Sequence, residues 1–169
     1  YNPAVNAICA TDYDRARDQA RQDEQAVMDG EELGIIHGLP CGVKDPQNTG
    51  GLLTTHGSPQ HKNDIPAADE LCVARVRESG GNVFCKTNTP EFGAGSNTRN
   101  RVWGATGNPF DPMKNAGGSS GGAGVGLACN MMPIATGSDM GGSLRNPAAW
   151  NGVVGFRTPA GTVPTDKKA

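Results

Sequence analysis

The 169-residue sequence predicts an α/β fold in which α-helices cover a mixed β-sheet. Two observations support this class. A strand pattern at 33–43, a helical pattern at 67–79 and a second strand pattern at 82–86 follow one another, which is typical of layered α/β proteins. The length also suits a single core, since domains cluster at about 100 to 150 residues. We therefore expect one domain over residues 1–169.

The first elements are a short apolar run and a surface helix. The apolar run covers 7–10, and a helix follows that residues 11–12 can cap and that ends near Met28. Its apolar stripe is thin and its outer face is charged, which is typical of a helix at the protein surface. The strand at 33–43 then places Lys44 at its carboxyl end.

The middle of the chain alternates loops and regular elements. The segment 49–66 is rich in Gly, Thr, His and Asn and is predicted to be a loop. The helix at 67–79 has apolar residues at helical spacing and a Gly-Gly stop signal, and the buried strand at 82–86 follows directly. A short helix is predicted to begin at 89–92, and 93–114 shows no period and is predicted to be a packed loop.

Two serine-glycine clusters occupy the last third of the chain. The first, at 117–122, opens a helix whose apolar body extends to Cys129. A strand at 133–136 leads to the second cluster, at 137–147. Glycine runs stand where backbone must approach another group closely, so two serines framed in this way suggest a catalytic pocket.

Composition limits the classes of function. Fifteen basic and seventeen acidic residues form no block of one sign, so we expect no direct nucleic-acid binding and a small-molecule substrate instead. No apolar run is long enough for a bilayer, so we expect no membrane partner. Five cysteines without a Cys-x-x-Cys pair predict reduced thiols in a cytoplasmic protein, and the three histidines show no metal-ligand spacing, so no cofactor or metal is expected. A homo-oligomer is compatible with the sequence.

The candidate catalytic residues are Lys44, Ser119 and Ser143. A serine hydroxyl is a poor nucleophile until a base takes its proton, and burial can lower a lysine pKa from about 10.4 to the roughly 7 or 8 that a base requires. The glycines just before Ser143 leave backbone N–H groups that could bind an oxyanion. Ser119 can then relay a proton, since a hydroxyl both donates and accepts.

Other interpretations stay open at this point. Lys44 alone could be solvated, Ser119 and Ser120 could only cap a helix, and Ser143 could be a turn serine. Residues 117–121 also fit Gly-x-Ser-x-Gly, the nucleophile elbow of α/β-hydrolases, which would make the protein an esterase that uses Ser119 with a later histidine. A third possibility is a chain that acts by interaction with an idle site. A phosphate-binding loop is disfavoured because the Gly-Lys-Ser/Thr ending is missing.

Four motifs resemble, in the same order, those of the amidase signature family. They are Gly42-Val43-Lys44-Asp45, 86–92, the Gly-Gly-Ser-Ser-Gly-Gly run at 117–122, and 137–147. The resemblance implies the amidase signature fold and hydrolysis of a carboxylic amide to acid and ammonia or amine. Because family catalytic domains are longer, it also implies that residues 1–169 are an incomplete domain lacking its carboxyl-terminal part.

The resemblance further implies a role for each site residue. Ser143 would be the nucleophile that forms an acyl-enzyme, Ser119 the serine after a cis peptide bond at Gly118–Ser119, and Lys44 the base. Oxyanion donors would come from the backbone of Met140, Gly141, Gly142 and Ser143, and supporting residues would be Ser120, Ser138, Asp139 and Arg145. Gly124 and Gly126 are expected to weaken the helix after Ser120.

Overall fold

The computed structural model describes residues 1–165, so residues 166–169 of the expected domain lie outside the described part. The helices are α1 (Asn2–Val5), α2 (Tyr13–Met28), α3 (Leu71–Glu78), α4 (Gly121–Ala128) and α5 (Arg145–Asn151). The strands are β1 (Ile8–Thr11), β2 (Pro40–Lys44), β3 (Asn82–Thr87), β4 (Arg99–Asn100), β5 (Gly104–Ala105) and β6 (Ile134–Ala135).

The main sheet is mixed, as the sequence predicts. Its strand order is β1-β3-β2-β6. β1 runs antiparallel to β3, whereas β2 is parallel both to β3 and to β6. The β2–α3–β3 unit is the strand–helix–strand succession that the sequence indicates, and parallel neighbours require such a crossover.

Alternation along β2 separates the two faces of the sheet. Cys41 and Val43 pack with Val73 of α3 in one buried cluster. Gly42 instead faces Met132, and the Lys44 amine reaches the start of α4. Because successive strand residues point to opposite faces, α3 and α4 cover opposite sides of β2. This alternation aims Lys44 at the first serine-glycine cluster.

The glycines of α4 allow the helix to lie directly against backbone. A Cβ built at Gly122 would lie 2.6 Å from the carbonyl oxygen of Ala7 and 2.7 Å from that of Asn88. A Cβ at Gly124 would lie 2.9 Å from Asn151 Nδ2 of α5. The expectation that Gly124 and Gly126 weaken this helix considers propensity alone, whereas at Gly122 and Gly124 the close approach of neighbouring residues requires glycine.

Several elements differ from the sequence predictions. The predicted strand at 33–43 is regular only over Pro40–Lys44, because turns occupy the residues before it. The helix predicted at 67–79 begins at Leu71, and the helix predicted at 89–92 is a single 3-10 turn at Glu91–Gly93.

Short elements account for the remaining differences. The loop predicted at 93–114 contains the β4–β5 hairpin, whose Asn100 side chain accepts from the N–H groups of Val102 and Trp103. The sequence pattern also misses α1 and α5, which have four and seven residues. Within residues 1–165, no helix is long and apolar enough to cross a bilayer.

Candidate active site

Lys44 is the buried cation of the site. Lys44 is the last residue of β2 and is 1% exposed. Its Nζ donates to Ser119 Oγ at 2.6 Å and to Ser138 Oγ at 2.8 Å. Burial lowers the Lys44 pKa to about 7, and the attraction of the Asp139 carboxylate opposes this shift only in part. A substantial fraction of the amine is therefore neutral near pH 7 and can accept a proton.

Ser119 lies in the bend just before α4. The Gly118–Ser119 peptide bond is cis, which confirms the prediction for this bond. Ser119 is 1% exposed, and its hydroxyl is held by the Lys44 amine. The residues on either side are anchored as well: the Gly117 carbonyl accepts from Thr98 Oγ1, and the Gly121 N–H donates to Thr98 Oγ1. The hydroxyl of Ser119 therefore has a fixed position next to the amine.

Ser143 lies in the same cavity as Lys44 and Ser119. All three line one cleft, together with Phe92 and Met140. The Ser143 carbonyl accepts from the N–H of Ser120, which ties the second cluster to the first. Within residues 1–165, the Ser143 hydroxyl makes no hydrogen bond to Lys44 or to Ser119. The structure therefore joins Lys44 to Ser119 by a hydrogen bond and places Ser143 in the same cleft without a hydrogen bond to either.

Asp139 organises the turn that carries Ser143. Its side chain is 2% exposed and accepts from the backbone N–H groups of Gly142 at 2.7 Å, Leu144 at 3.3 Å and Arg145 at 3.2 Å. The Arg145 guanidinium adds two hydrogen bonds, at 2.9 and 3.0 Å. These bonds, led by the one from the Arg145 side chain, hold the Asp139 pKa well below its usual range. Asp139 thus fixes the loop and caps the start of α5.

The backbone N–H groups around Ser143 do not all have the same role. Gly142 uses its N–H for Asp139, so the expected oxyanion donor at this position is committed to the turn. Within residues 1–165, the N–H groups of Met140, Gly141 and Ser143 have no hydrogen-bond acceptor. These three remain available to a negatively charged oxygen.

Ser120 and Ser138 connect the two clusters. Ser120 Oγ accepts from the Ser138 N–H at 3.3 Å and lies 3.4 Å from the Ser138 carbonyl oxygen. Ser138 Oγ is the second acceptor for the Lys44 amine. Of the supporting residues expected from the sequence, these two touch the site directly, whereas Asp139 and Arg145 form the turn behind it.

Sequence reasoning missed Gln47 and Thr136. Thr136 Oγ1 accepts from the backbone N–H of Lys44 at 2.9 Å and donates to Gln47 Oε1. The position of Thr136, at the end of a strand that leads to a serine-glycine cluster, was a usable signal. Gln47 lies in an irregular segment, and nothing in its local pattern distinguishes it from any solvent-exposed glutamine.

The other candidate groups have separate partners. His61 Nδ1 lies 2.7 Å from Asp64 Oδ2, and His37 Nε2 lies 2.9 Å from the Asp23 carbonyl oxygen. Burial raises the pKa of the Cys41 thiol to about 11, which fits a core residue better than a nucleophile. Among residues 1–165, no group of three or more His, Cys, Asp or Glu side chains is placed to hold a metal ion.

Comparison with protein families gives one match over the whole chain: a family model described as Amidase covers residues 1–169. Among curated proteins, the chain is 39% identical over 161 residues to a glutamyl-tRNA(Gln) amidotransferase subunit from Acaryochloris marina, covering 95% of this chain and 33% of that protein. It is 40% identical over 163 residues to an acylamidase of Rhodococcus erythropolis, covering 96% of this chain and 34% of that protein. The chain thus spans about a third of these relatives' length.

Solved structures show the same similarity. A bacterial aryl acylamidase of the amidase signature family matches 99% of this chain and 35% of its own, with a TM-score of 0.92 and 35% identity. Fatty acid amide hydrolase matches 87% of this chain and 26% of its own, with a TM-score of 0.81 and 28% identity.

Proposed function

The chain belongs to the amidase family, and from this premise we propose that it carries the Ser–cis-Ser–Lys triad of an amide hydrolase. In this proposal Ser143 is the nucleophile, Ser119 the proton relay and Lys44 the base. The amide substrate is a small molecule, and neither metal nor cofactor takes part. The single observation that carries the proposal is the 2.6 Å contact between the buried Lys44 amine and the Ser119 hydroxyl.

The first half of the reaction forms an acyl-enzyme. Neutral Lys44 accepts the Ser119 proton while Ser119 accepts the proton of Ser143, whose oxygen attacks the amide carbon. The carbonyl oxygen becomes an oxyanion, and the unpaired N–H groups of Met140, Gly141 and Ser143 are the proposed donors to it. When the intermediate collapses, the proton held on Lys44 returns through Ser119 to the leaving nitrogen, so the amine or ammonia departs neutral.

The second half of the reaction reverses the proton path. A water molecule gives its proton through Ser119 to Lys44 and attacks the acyl carbon, and the acid leaves as Ser143 recovers its proton. Ser143 must approach Ser119 for either half-reaction. Catalytic hydrogen bonds are often long without substrate and tighten once it binds, so the missing contact is compatible with this role.

A fluorophosphonate probe tests the proposal, because it reacts with activated serines. We expect labelling at Ser143, located by peptide mass spectrometry, and no labelling of the Ser143→Ala variant. Labelling at Ser119 with Ser143 untouched would instead indicate the nucleophile-elbow esterase. A properly folded protein that takes up no label would support the interpretation that the chain acts by interaction.

The identity of the amide is a separate question. The chain is 39% identical to the amidotransferase relative and 40% identical to the acylamidase relative. Sequence identity therefore does not decide whether its substrate is an amide that donates ammonia or an acyl anilide. In this proposal both substrates form an acyl ester on Ser143, with a different acyl group in each case. Comparison of ammonia release from glutamine with aniline release from an acyl anilide by the full-length protein would distinguish them.

A further inference from the structure

Lys86 is a second fully buried lysine that the proposed mechanism does not use. It lies on β3, is 0% exposed and pairs in register with Val43 of β2. Paired residues of neighbouring parallel strands share a face, so Lys86 projects to the α3 side, opposite to Lys44. Lys86 is absent from the lining of the cleft that contains Lys44 and Ser143, and any effect on the reaction must pass through other residues.

The Lys86 ammonium holds the turn that follows β2. Its Nζ donates to the Gln47 carbonyl oxygen and, at 2.7 Å, to Thr49 Oγ1. Thr49 is itself fully buried, and its hydroxyl donates to the same Gln47 carbonyl at 3.1 Å. A buried ammonium is costly unless its protons are satisfied, so these acceptors are held tightly to Lys86.

Gln47 passes this constraint to the other face of the sheet. Its Oε1 accepts from Thr136 Oγ1, which in turn accepts the backbone N–H of Lys44 at 2.9 Å. Its Nε2 donates to Cys72 Sγ at 2.9 Å and to Glu70 Oε1 at 3.3 Å. Gln47 is therefore fixed at its backbone by Lys86 and at its side chain from two sides, and it forms part of the cleft wall.

We propose that Lys86 is a positioning residue for Lys44, acting through the Gln47 turn and Thr136 to keep the catalytic amine packed and dry. The inference rests on the proposed function of Lys44 as the base. If the turn loosens, Thr136 loses the partner that orients it, and water reaches the end of β2. Lys44 then recovers hydration, and its pKa rises toward that of an ordinary lysine.

Different groups shift the pKa values of Lys86 and Lys44. Burial lowers the Lys86 pKa to about 8, while the nearby acids Asp45, Glu70 and Asp69 and the thiol of Cys9 oppose that shift. Lys44 responds chiefly to burial and to Asp139. Lys86 is not among the groups that shift the Lys44 pKa directly, so its effect on that pKa should come through hydration.

The first test is the variant Lys86→Met, which keeps an unbranched apolar stem in the buried space. Titration of the Lys44 side chain by heteronuclear NMR should show its midpoint rise by roughly one pH unit, and fluorophosphonate labelling of Ser143 at pH 7 should slow about fivefold, because the neutral fraction of the amine falls from about one half to about one tenth. Lys114→Met is the matched control, since the Lys114 side chain is 78% exposed and pairs with Asp111 at the surface. It should leave both readouts unchanged.

A second variant covers the case in which Lys86→Met does not fold. Thr49→Val removes one acceptor of the ammonium at nearly constant volume and should raise the Lys44 midpoint in the same direction. Thr136→Val should also raise the Lys44 midpoint. When it is combined with Lys86→Met or Thr49→Val, whichever folds, the labelling defects should not add, because both substitutions break the same chain of contacts through Gln47. An unchanged Lys44 midpoint in the folded variants would overturn the inference. Failure of wild-type protein to label would refute the proposed function, while the NMR titration would still decide the positioning role.

Discussion

The Lys44 amine lies 2.6 Å from the Ser119 hydroxyl although 75 residues separate them in the sequence. Lys44 is the last residue of β2 and Ser119 lies two residues before α4, and both are 1% exposed. The strand and the helix therefore hold the two side chains together, and neither side chain can turn into solvent. The fold, and not a neighbour in the sequence, therefore places the proposed base beside Ser119.

Substitution of Lys44 and of Ser143 should have similar consequences. We expect Ser143→Ala to abolish acyl-enzyme formation and Lys44→Ala to lower it by at least about 10³-fold, and amide turnover by the double variant to be little worse than by either single variant. In the proposed mechanism both residues belong to a single proton path, so the loss of either one interrupts the whole path. Burst kinetics with a chromogenic amide or ester would measure the effect.

Ser79→Ala is a suitable control for these variants. The Ser79 hydroxyl donates to the Arg75 carbonyl at the end of α3, in an exposed position. It should retain wild-type acylation. Near-normal turnover of Lys44→Ala at pH 7 would show that another group is the base.

Acylation should depend on pH through the ionisation of Lys44. Because burial lowers the Lys44 pKa to about 7, the neutral base gains population as the pH rises, and the rate should increase with a midpoint near that value. Ser138 Oγ accepts from the same amine and stabilises its charged form. Ser138→Ala should therefore shift the midpoint to lower pH, by less than about one unit, since water can replace the exposed hydroxyl. A midpoint that moves upward in this variant would contradict the assignment.

Two glycines of α4 should respond differently to alanine. At Gly122, an added Cβ meets backbone oxygens of Ala7 and Asn88 at 2.6 and 2.7 Å, so Gly122→Ala should lower the free energy of unfolding by about 1–3 kcal/mol or more. At Gly126, the nearest atom is the flexible Met132 Cε at 2.9 Å, which can move aside. Gly126→Ala should be close to neutral, because alanine gains about 1 kcal/mol of helix propensity.

Chemical denaturation of both variants measures this contrast. Both variants introduce alanine into α4, so the gain in helix propensity is the same in each and a difference in stability reports the local contacts. Equal destabilisation would show that α4 has room to shift away from β1 and β3, and that the close backbone approach is not what selects glycine at position 122.

The sequence predicts the parts of this fold that depend on local pattern. Apolar periodicity identifies α3 and β3, and Lys44, Ser119 and Ser143 are all recognisable from their motifs. The position of Thr136 at a strand end is visible in the sequence, but its hydrogen bond to the Lys44 N–H and the one from Lys44 to Ser138 are not, because they arise only when β6 pairs with β2. Local propensity carries no information about which strand lies beside which.

The missed helix α5 illustrates the same limit. An N-cap signal is normally sought next to the first turn, yet the Leu144 N-cap makes no side-chain hydrogen bond, and the carboxylate that accepts from the Arg145 N–H belongs to Asp139. Asp139 lies six residues away, across a turn of glycines. The same spatial arrangement removes the Gly142 N–H from the expected oxyanion donors, since Asp139 takes it.

The final prediction concerns this carboxylate. Asp139→Asn keeps the size of the side chain but loses its charge and one acceptor, so the Gly142 and Leu144 N–H groups and the Arg145 guanidinium compete for what remains. We expect the loop of Ser143 to loosen and acylation to fall by about tenfold or more, with a lower melting temperature.

The pH dependence of stability gives an independent check on Asp139. Its folded-state pKa lies below that of an unfolded chain, so its stabilising contribution is present above about pH 4 and is lost as the pH falls through the folded pKa. Wild-type protein should therefore lose more stability than Asp139→Asn between neutral and acidic pH. Asp111→Asn, which removes an acid whose salt bridge to Lys114 is exposed, is the matched control and should follow the wild-type curve. Parallel curves for wild type and Asp139→Asn would mean that the carboxylate does not hold the turn through its charge.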